Sequence, residues 1–317
     1  MLIHCQRNAR KSWTCYSVPV SNKAFSSYCV ALVTPFSIDG ELTEAPVRTL
    51  VAFLKKEGVG AFLVSGSTGE QHSMTLEERT RLYRWVVSEA GPGVPVYAGV
   101  AAVRTRDAET LARGAEEAGA RGLLLGFPPY VRITSWDAQA YVGRVCGASG
   151  LPVMLYNNPT RTAFDLLPET LETLVTDNAT IKAVKETGDP ARASRIRAAL
   201  GKDFQIFSGN DRTVAAAWSR GFDGLTSVAG NLWPREMAAV VEALGKGRTV
   251  EATSLLAPLA PMIATIIEPQ IPASLKYAMR LQGMPGGWCR EPLGHLGADL
   301  EKRIEEALKT VLPGGAE

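Results

Sequence analysis

The stretch with the most chemistry to offer is Ile181-Lys182-Ala183-Val184-Lys185-Glu186. In an extended chain, side chains alternate, so Ile181, Ala183 and Lys185 share one face and Lys182, Val184 and Glu186 the other. If the Ile181 face points into a core, Lys185 is expected to lose its water. Burial disfavours an ammonium, and a neutral lysine attacks carbonyl carbon to form a Schiff base. Lys182 enters from the opposite end and face and is not expected to take this role. A salt-bridged lysine at a strand end is the structural alternative.

Three further stretches end in polar residues after an apolar run. Leu155-Tyr156-Asn157-Asn158-Pro159-Thr160-Arg161-Thr162 supplies a phenol able to relay protons and, in Arg161, a planar fork that suits a carboxylate. A core tyrosine beside a surface arginine would explain it equally well. Val64-Ser65-Gly66-Ser67-Thr68-Gly69-Glu70 offers two hydroxyls and several backbone N–H groups ahead of a helix, a setting for an anion. It is neither a P-loop nor a nucleophile elbow, because it lacks the Gly-Lys-Ser/Thr and Gly-x-Ser-x-Gly patterns. Ser208-Gly209-Asn210-Asp211 and Gly224–Asn231 add small residues that leave room for a cavity.

The elements that must carry these residues are short apolar runs. They occur at Tyr28–Val33, Ala61–Val64, Val94–Gly99, Gly122–Leu125, Pro152–Tyr156, Ile181–Val184, Phe204–Phe207 and Gly224–Val228. Continuous apolar runs of this kind predict parallel strands buried on both faces. Helical patterns lie between them. Ala108, Leu111, Ala112, Ala115 and Ala118 make one apolar stripe, which Gly119 ends. Thr75 and Glu78 have capping-box spacing, predicting a helix start. Eight βα units predict a closed (β/α)8 TIM barrel over residues 28–246, with its site at the strand C-terminal ends. Gly58-Val59-Gly60 precedes a strand and lacks a third Gly, so a dinucleotide-binding sheet is rejected. Helical patterns at roughly 249–266, 271–282 and 296–311 suggest a C-terminal appendage over 247–317.

Composition narrows the partners. The 317 residues are 46% hydrophobic, with net charge +2. Arg7, Arg10, Lys11 and Lys23 fall in the first 28 residues, which hold no acid, so the rest is slightly acidic. No general positive field remains for nucleic acid or an anionic membrane. The longest uncharged apolar stretch, Leu255–Ile267, is interrupted by Pro258 and Pro261 and predicts no membrane span. Cys5, Cys15, Cys29, Cys146 and Cys289 lack zinc-site spacing and are expected as free thiols in a reducing compartment. His4, His72 and His295 are too far apart in sequence to suggest a metal centre. Residues 1–27 show no sustained period and are expected to be a disordered extension or an organellar presequence; otherwise the location is expected to be cytoplasmic.

Taken in order and spacing, Ser-Gly-Ser-Thr-Gly-Glu, Tyr-Asn-Asn-Pro-Thr-Arg-Thr and Val-Lys-Glu resemble the dihydrodipicolinate synthase / N-acetylneuraminate lyase family, over about residues 28–312. The resemblance implies a (β/α)8 barrel with C-terminal helices, a homotetramer (a dimer of dimers), and no metal or organic cofactor. It implies that Lys185 forms a Schiff base with pyruvate and that Tyr156 relays protons. Ser67 and Thr68 would contact the substrate, with Thr68 in the relay. Tyr130 would reach a neighbouring subunit's site, and Gly209 and Thr226 would line the pyruvate pocket. Arg161 is similar to the arginine that holds the carboxylate of aspartate semialdehyde in the dihydrodipicolinate synthases, which implies condensation of that aldehyde with pyruvate to 4-hydroxy-tetrahydrodipicolinate, in lysine biosynthesis. Ala163, Pro129 and Thr226 depart from the usual pattern. A sibling lyase or dehydratase acting on 4-hydroxy-2-oxoglutarate, a 2-keto-3-deoxy sugar acid or N-acetylneuraminate is therefore the alternative, with a non-enzymatic binding protein as a further one.

Overall fold

The computed structural model describes residues 2–7, 13–18, 23–266 and 270–311. Eight parallel strands close into one barrel: β1 (Tyr28–Ala31), β2 (Phe62–Val64), β3 (Val96–Gly99), β4 (Gly122–Gly126), β5 (Val153–Asn157), β6 (Ile181–Glu186), β7 (Gln205–Ser208) and β8 (Gly224–Ser227), with β8 pairing back onto β1. Closure leaves no open sheet edge, and the strands are almost wholly buried. The exceptions are Lys182, which is exposed, and Tyr156, which is half-buried. Barrel closure and helical cover together account for the continuous apolar runs.

Helices α1 (Glu44–Lys56), α2 (Leu76–Ala90), α3 (Thr105–Glu117), α4 (Ser135–Cys146), α5 (Pro168–Asp177), α6 (Ala193–Leu200), α7 (Val214–Trp218) and α8 (Pro234–Gly245) follow the strands in turn. The α3 stripe buries Ala108, Leu111, Ala112 and Ala115; Ala118 falls just past the last helical residue. Thr75 and Glu78 form both bonds of the predicted capping box at the start of α2.

Two expectations about the ends of the barrel need correction. The head was expected to run to residue 27, but Phe25 is already barrel. It is buried, exchanges 2.9 Å hydrogen bonds in both directions with the Gln205 side chain, and its ring packs edge-on against Tyr97. A single aromatic without periodic neighbours gives no strand or helix signal, although it plugs the barrel floor. Upstream, Leu2–Arg7 and Trp13–Val18 pair antiparallel as a separate sheet. Residues 1, 8–12 and 19–22 of the expected extension, and the side chains of Cys5 and Cys15, lie outside the described residues. Cys29, Cys146 and Cys289 are free.

The C-terminal helices are α9 (Thr249–Leu256), α10 (Ala260–Ile266), α11 (Ala273–Leu281) and α12 (Ala298–Val311). The predicted 249–266 helix is broken between α9 and α10, at the segment holding Pro258, with a 53° bend. Among the described residues no single helix is long and apolar enough to cross a membrane. This region is joined to the barrel far more firmly than an appendage would be. Lys276 of α11, fully buried, donates to Glu70 Oε1 (2.5 Å) and to the carbonyls of Thr34 (2.5 Å) and Trp288 (2.6 Å). Those three bonds use all three ammonium donors. Removing either charge would leave the other buried and unpaired, at a cost of about 3–5 kcal/mol.

Arg290 makes a second clamp. Its guanidinium grips Glu78 at 2.5 and 2.8 Å and also bonds the Ser73 and Gly40 carbonyls. Arg290, and after it the Thr75 N–H, hold the Glu78 carboxyl below the usual carboxylate range, although partial burial opposes this. A lowered folded-state value means that the pair stabilises the fold above about pH 4, and that this contribution fades as pH falls further. Glu78→Gln is therefore expected to cost about 2 kcal/mol at neutral pH and to flatten the acid-side loss of stability. Urea unfolding across a pH series checks both; an unchanged acid slope would remove Glu78 from this role.

Candidate active site

The loops after the strands converge on two connected chambers. The inner one, about 170 Å³, is bordered by Lys185, Tyr156, Ser67, Thr68, Gly209 and Arg161, among others. At about 30 Å³ per water-sized volume, it holds a ligand of roughly six non-hydrogen atoms. The outer one, about 290 Å³, shares Ser67, Tyr156 and Arg161 and adds Gln71, His72 and Phe127. A larger cleft, about 900 Å³, opens at the opposite end of the barrel beside Phe25 and Trp218. Barrel chemistry is built at the strand C-terminal ends, and none of the predicted site residues borders that cleft.

Lys185 sits near the end of β6, 5% exposed, in register with Tyr156 on β5 and Phe207 on β7. Its Nζ lies 4.6 Å from the centre of the Tyr156 ring. The Tyr156 hydroxyl accepts from Asn158 Nδ2 at 2.7 Å. Asn158 Oδ1 in turn caps the short helical turn Pro159–Thr162 by accepting from the Arg161 N–H at 3.2 Å. One asparagine thus sets both the phenol and the turn that carries Arg161, whose side chain is exposed at the mouth.

Beneath these groups the strand ends are cross-braced. Asn157 Nδ2 donates to the Glu186 carboxylate at 3.0 and 3.1 Å and to Asp165 at 3.1 Å, and Asp165 is held by the Arg192 fork. Burial pushes the Glu186 carboxyl above its ordinary range, against the bonds from Asn157 and Gly188. On the other side, buried Arg79 of α2 donates to Ser65 Oγ (2.8 Å) and to the Gly99 and Ala101 carbonyls. It anchors the loop that carries Ser67 and Thr68. Asp211 joins the loops after β7 and β8 by accepting from the Ser227 hydroxyl and the Val228 and Ala229 N–H groups. Burial raises its carboxyl, while these bonds and the nearby Lys185 charge lower it.

Six of the eight predicted site residues thus meet around one cavity. Two do not. Thr226 is buried, with its hydroxyl donated to the Ser208 carbonyl at 3.4 Å, and Val228 borders the inner chamber in its stead. Tyr130 borders neither chamber; it is 96% exposed, with φ +74°. Sequence reasoning also missed Ile271, which borders the inner chamber from just ahead of α11, and His72 in the outer one. Ile271 carries no local signal, because only the path of the chain brings it to the site, whereas His72 follows directly on the Ser65–Glu70 loop. Among the described residues no group of His, Cys, Asp and Glu is arranged to hold a metal ion.

The profile of the Dihydrodipicolinate synthetase family matches residues 24–311. The chain belongs to this family. Similar members include the 4-hydroxy-tetrahydrodipicolinate synthases of Bacillus subtilis, 32% identical over 87% of this chain and 95% of its own length, and of Nitrosococcus oceani, 35% identical over 90% and 98%. Among solved structures, a dihydrodipicolinate synthase from Cyanidioschyzon merolae with lysine bound superposes with a TM-score of 0.87 at 30% identity, covering 92% of this chain and 99% of that one.

Two positions in this family member invite substitution. An ideal Cβ on Gly209 would stand 2.4 Å from Lys185 Cε and 2.5 Å from Thr187 Cγ2. Gly209→Ala must therefore push the amine aside, and should slow attack on pyruvate about a hundredfold while leaving the fold intact; adduct formation at the unaltered rate would refute this. Ala163 ends the Arg161 turn at φ +54° and is exposed. A left-handed alanine costs about 1 kcal/mol or more, part of which glycine's flexibility gives back. Ala163→Gly should raise Tm by about 1–3 °C, and calorimetry showing a fall would contradict that account.

Proposed function

We propose that this family member is a Schiff-base lyase that condenses pyruvate, bound through Lys185, with L-aspartate semialdehyde to give 4-hydroxy-tetrahydrodipicolinate in lysine biosynthesis. The observation that carries the reading is the buried Lys185 amine beside the Tyr156 ring, on the wall of a chamber with room for about six heavy atoms, with the Arg161 guanidinium at its mouth.

The chemistry follows from that arrangement. Lys185 Nζ adds to the pyruvate ketone, and loss of water leaves an iminium. A methyl proton departs, and its electron pair forms the enamine, with the iminium as electron sink. Tyr156 shuttles these protons; Thr68 and the hydroxyl of Tyr130 complete the relay. Ser67, Thr68 and nearby backbone N–H groups hold the pyruvate carboxylate. The enamine carbon then bonds to the aldehyde carbon, and the aldehyde oxygen takes a proton and becomes the 4-hydroxyl. Arg161 holds the acceptor's carboxylate. The acceptor's own amine attacks the iminium carbon, the bond to Lys185 breaks, and the ring closes. Pyruvate and the semialdehyde give the product and one water. Each step is proton transfer or carbonyl addition, so the residues present suffice for it.

Tyr130 enters the relay from a second copy of the chain. Its near-complete exposure and its absence from its own chain's chambers support that reading, and the assembly proposed is a homotetramer acting in the cytoplasm.

The test is borohydride reduction with pyruvate, followed by peptide mass mapping. A stable adduct on Lys185 is expected, and none with Lys185→Ala; an adduct on Lys182, or none, would end the reading. Arg161→Ala should keep trapping but lower kcat/KM for the semialdehyde by about a hundredfold, the size of a lost charge-assisted pair of hydrogen bonds. A panel of aldehydes, read by product mass, separates this reaction from that of a sibling lyase.

A further inference from the structure

The outer chamber carries a group that the steps above do not use. His72 stands on the short 3-10 turn Gln71–Ser73 after β2, solvent-exposed where it borders that chamber, while Arg161 faces the same chamber from the turn after β5. Lys185 borders only the inner chamber, so His72 is one chamber removed from the imine. Resting on the lyase reading above, we propose that His72 is a second specificity-determining group for the acceptor, an imidazole that shares the acceptor's carboxylate with Arg161. The acceptor class is then a short aldehyde with an anionic end, and neutral polyhydroxylated aldehydes gain nothing from this pair.

Three groups act on or border the imidazole. Glu70, from the same loop, favours its charged form; Arg161 opposes it; the Tyr156 phenol borders the same chamber. Glu70 is already engaged by Lys276 and by the Arg290 N–H. Partial burial first, and Arg161 after it, hold His72 below the ordinary histidine range, despite Glu70. At neutral pH it is therefore an uncharged ring with one N–H to donate. A carboxylate arriving between His72 and Arg161 reverses the balance, because a nearby negative charge favours the imidazolium. Acceptor binding and proton uptake are then linked. Lowering the pH through the histidine range should tighten acceptor binding, while pyruvate, held one chamber further in, should be insensitive to it.

The experiment compares the unaltered protein with His72→Ala and His72→Gln. KM for L-aspartate semialdehyde and for pyruvate is measured from about pH 5.5 to 8, with glyceraldehyde as a neutral acceptor. In His72→Ala the semialdehyde KM should rise about tenfold at the acid end, as expected for loss of one charge-assisted bond. The pH dependence that separates the variant from the parent should vanish above the histidine range. His72→Gln should recover part of the loss at neutral pH but none of the acid-side gain. Pyruvate KM, the rate of borohydride trapping on Lys185 and the glyceraldehyde KM should stay within about twofold. A semialdehyde KM and pH profile unmoved by either variant, or a rise shared equally with pyruvate, overturns the assignment. Trapping needs no acceptor, so its absence in the unaltered protein would remove the lyase reading itself and is distinguishable from failure at His72.

Discussion

The geometry of the candidate site turns on one amine kept away from bulk water. A lysine at a strand end would ordinarily extend its ammonium into solvent, where hydration is worth many kcal/mol. Lys185 cannot, because the closed barrel surrounds it. Tyr156 lies beside it on one neighbouring strand, and Gly209, just past the end of the other, leaves the space that its Cε occupies. The same strand shows the contrast. Lys182, three residues earlier and on the other face, is exposed.

Holding that amine is a problem of bracing, and the braces are polar. The loops around the chamber are pinned by groups buried with their partners: Asn157 on Glu186, Arg79 on Ser65 and two carbonyls, Asp211 on the loop after β8, and Glu70 on Lys276. Buried polar networks stabilise a single arrangement only when their members are satisfied, because a half-satisfied one costs more than an apolar core. The Glu70–Lys276 pair extends this logic across the molecule. It ties the loop of Ser67 and Thr68 to α11, the helix that follows Ile271 on the chamber wall. The C-terminal helices are thereby part of the site's scaffold.

Much of this was legible from the chain alone. Strand periodicity separated Lys185 from Lys182, and eight short apolar runs alternating with amphipathic segments announced a closed barrel with its chemistry at one end. The capping box of α2 follows from contacts within a few residues, and the buried stripe of α3, save Ala118, from the helical period. Polar residues placed just after apolar runs marked Ser67, Thr68, Tyr156, Arg161 and Gly209 as neighbours-to-be, because parallel strands bring their C-terminal ends together whatever lies between them.

The sequence by itself determined which residues face inward and which end of the barrel they reach, since these follow from local periodicity and strand direction. Only the tertiary structure decided how far each side chain extends and what it meets. Thr226 turns to a carbonyl on β7, Tyr130 stays outside its own chain's chambers, Phe25 closes the floor, and Ile271 and Lys276 arrive from some two hundred residues downstream of the loop they complete. The physical reason is range. Periodicity records a residue's relation to its own element, whereas partners across a barrel are set by register, closure and packing, which no local window contains.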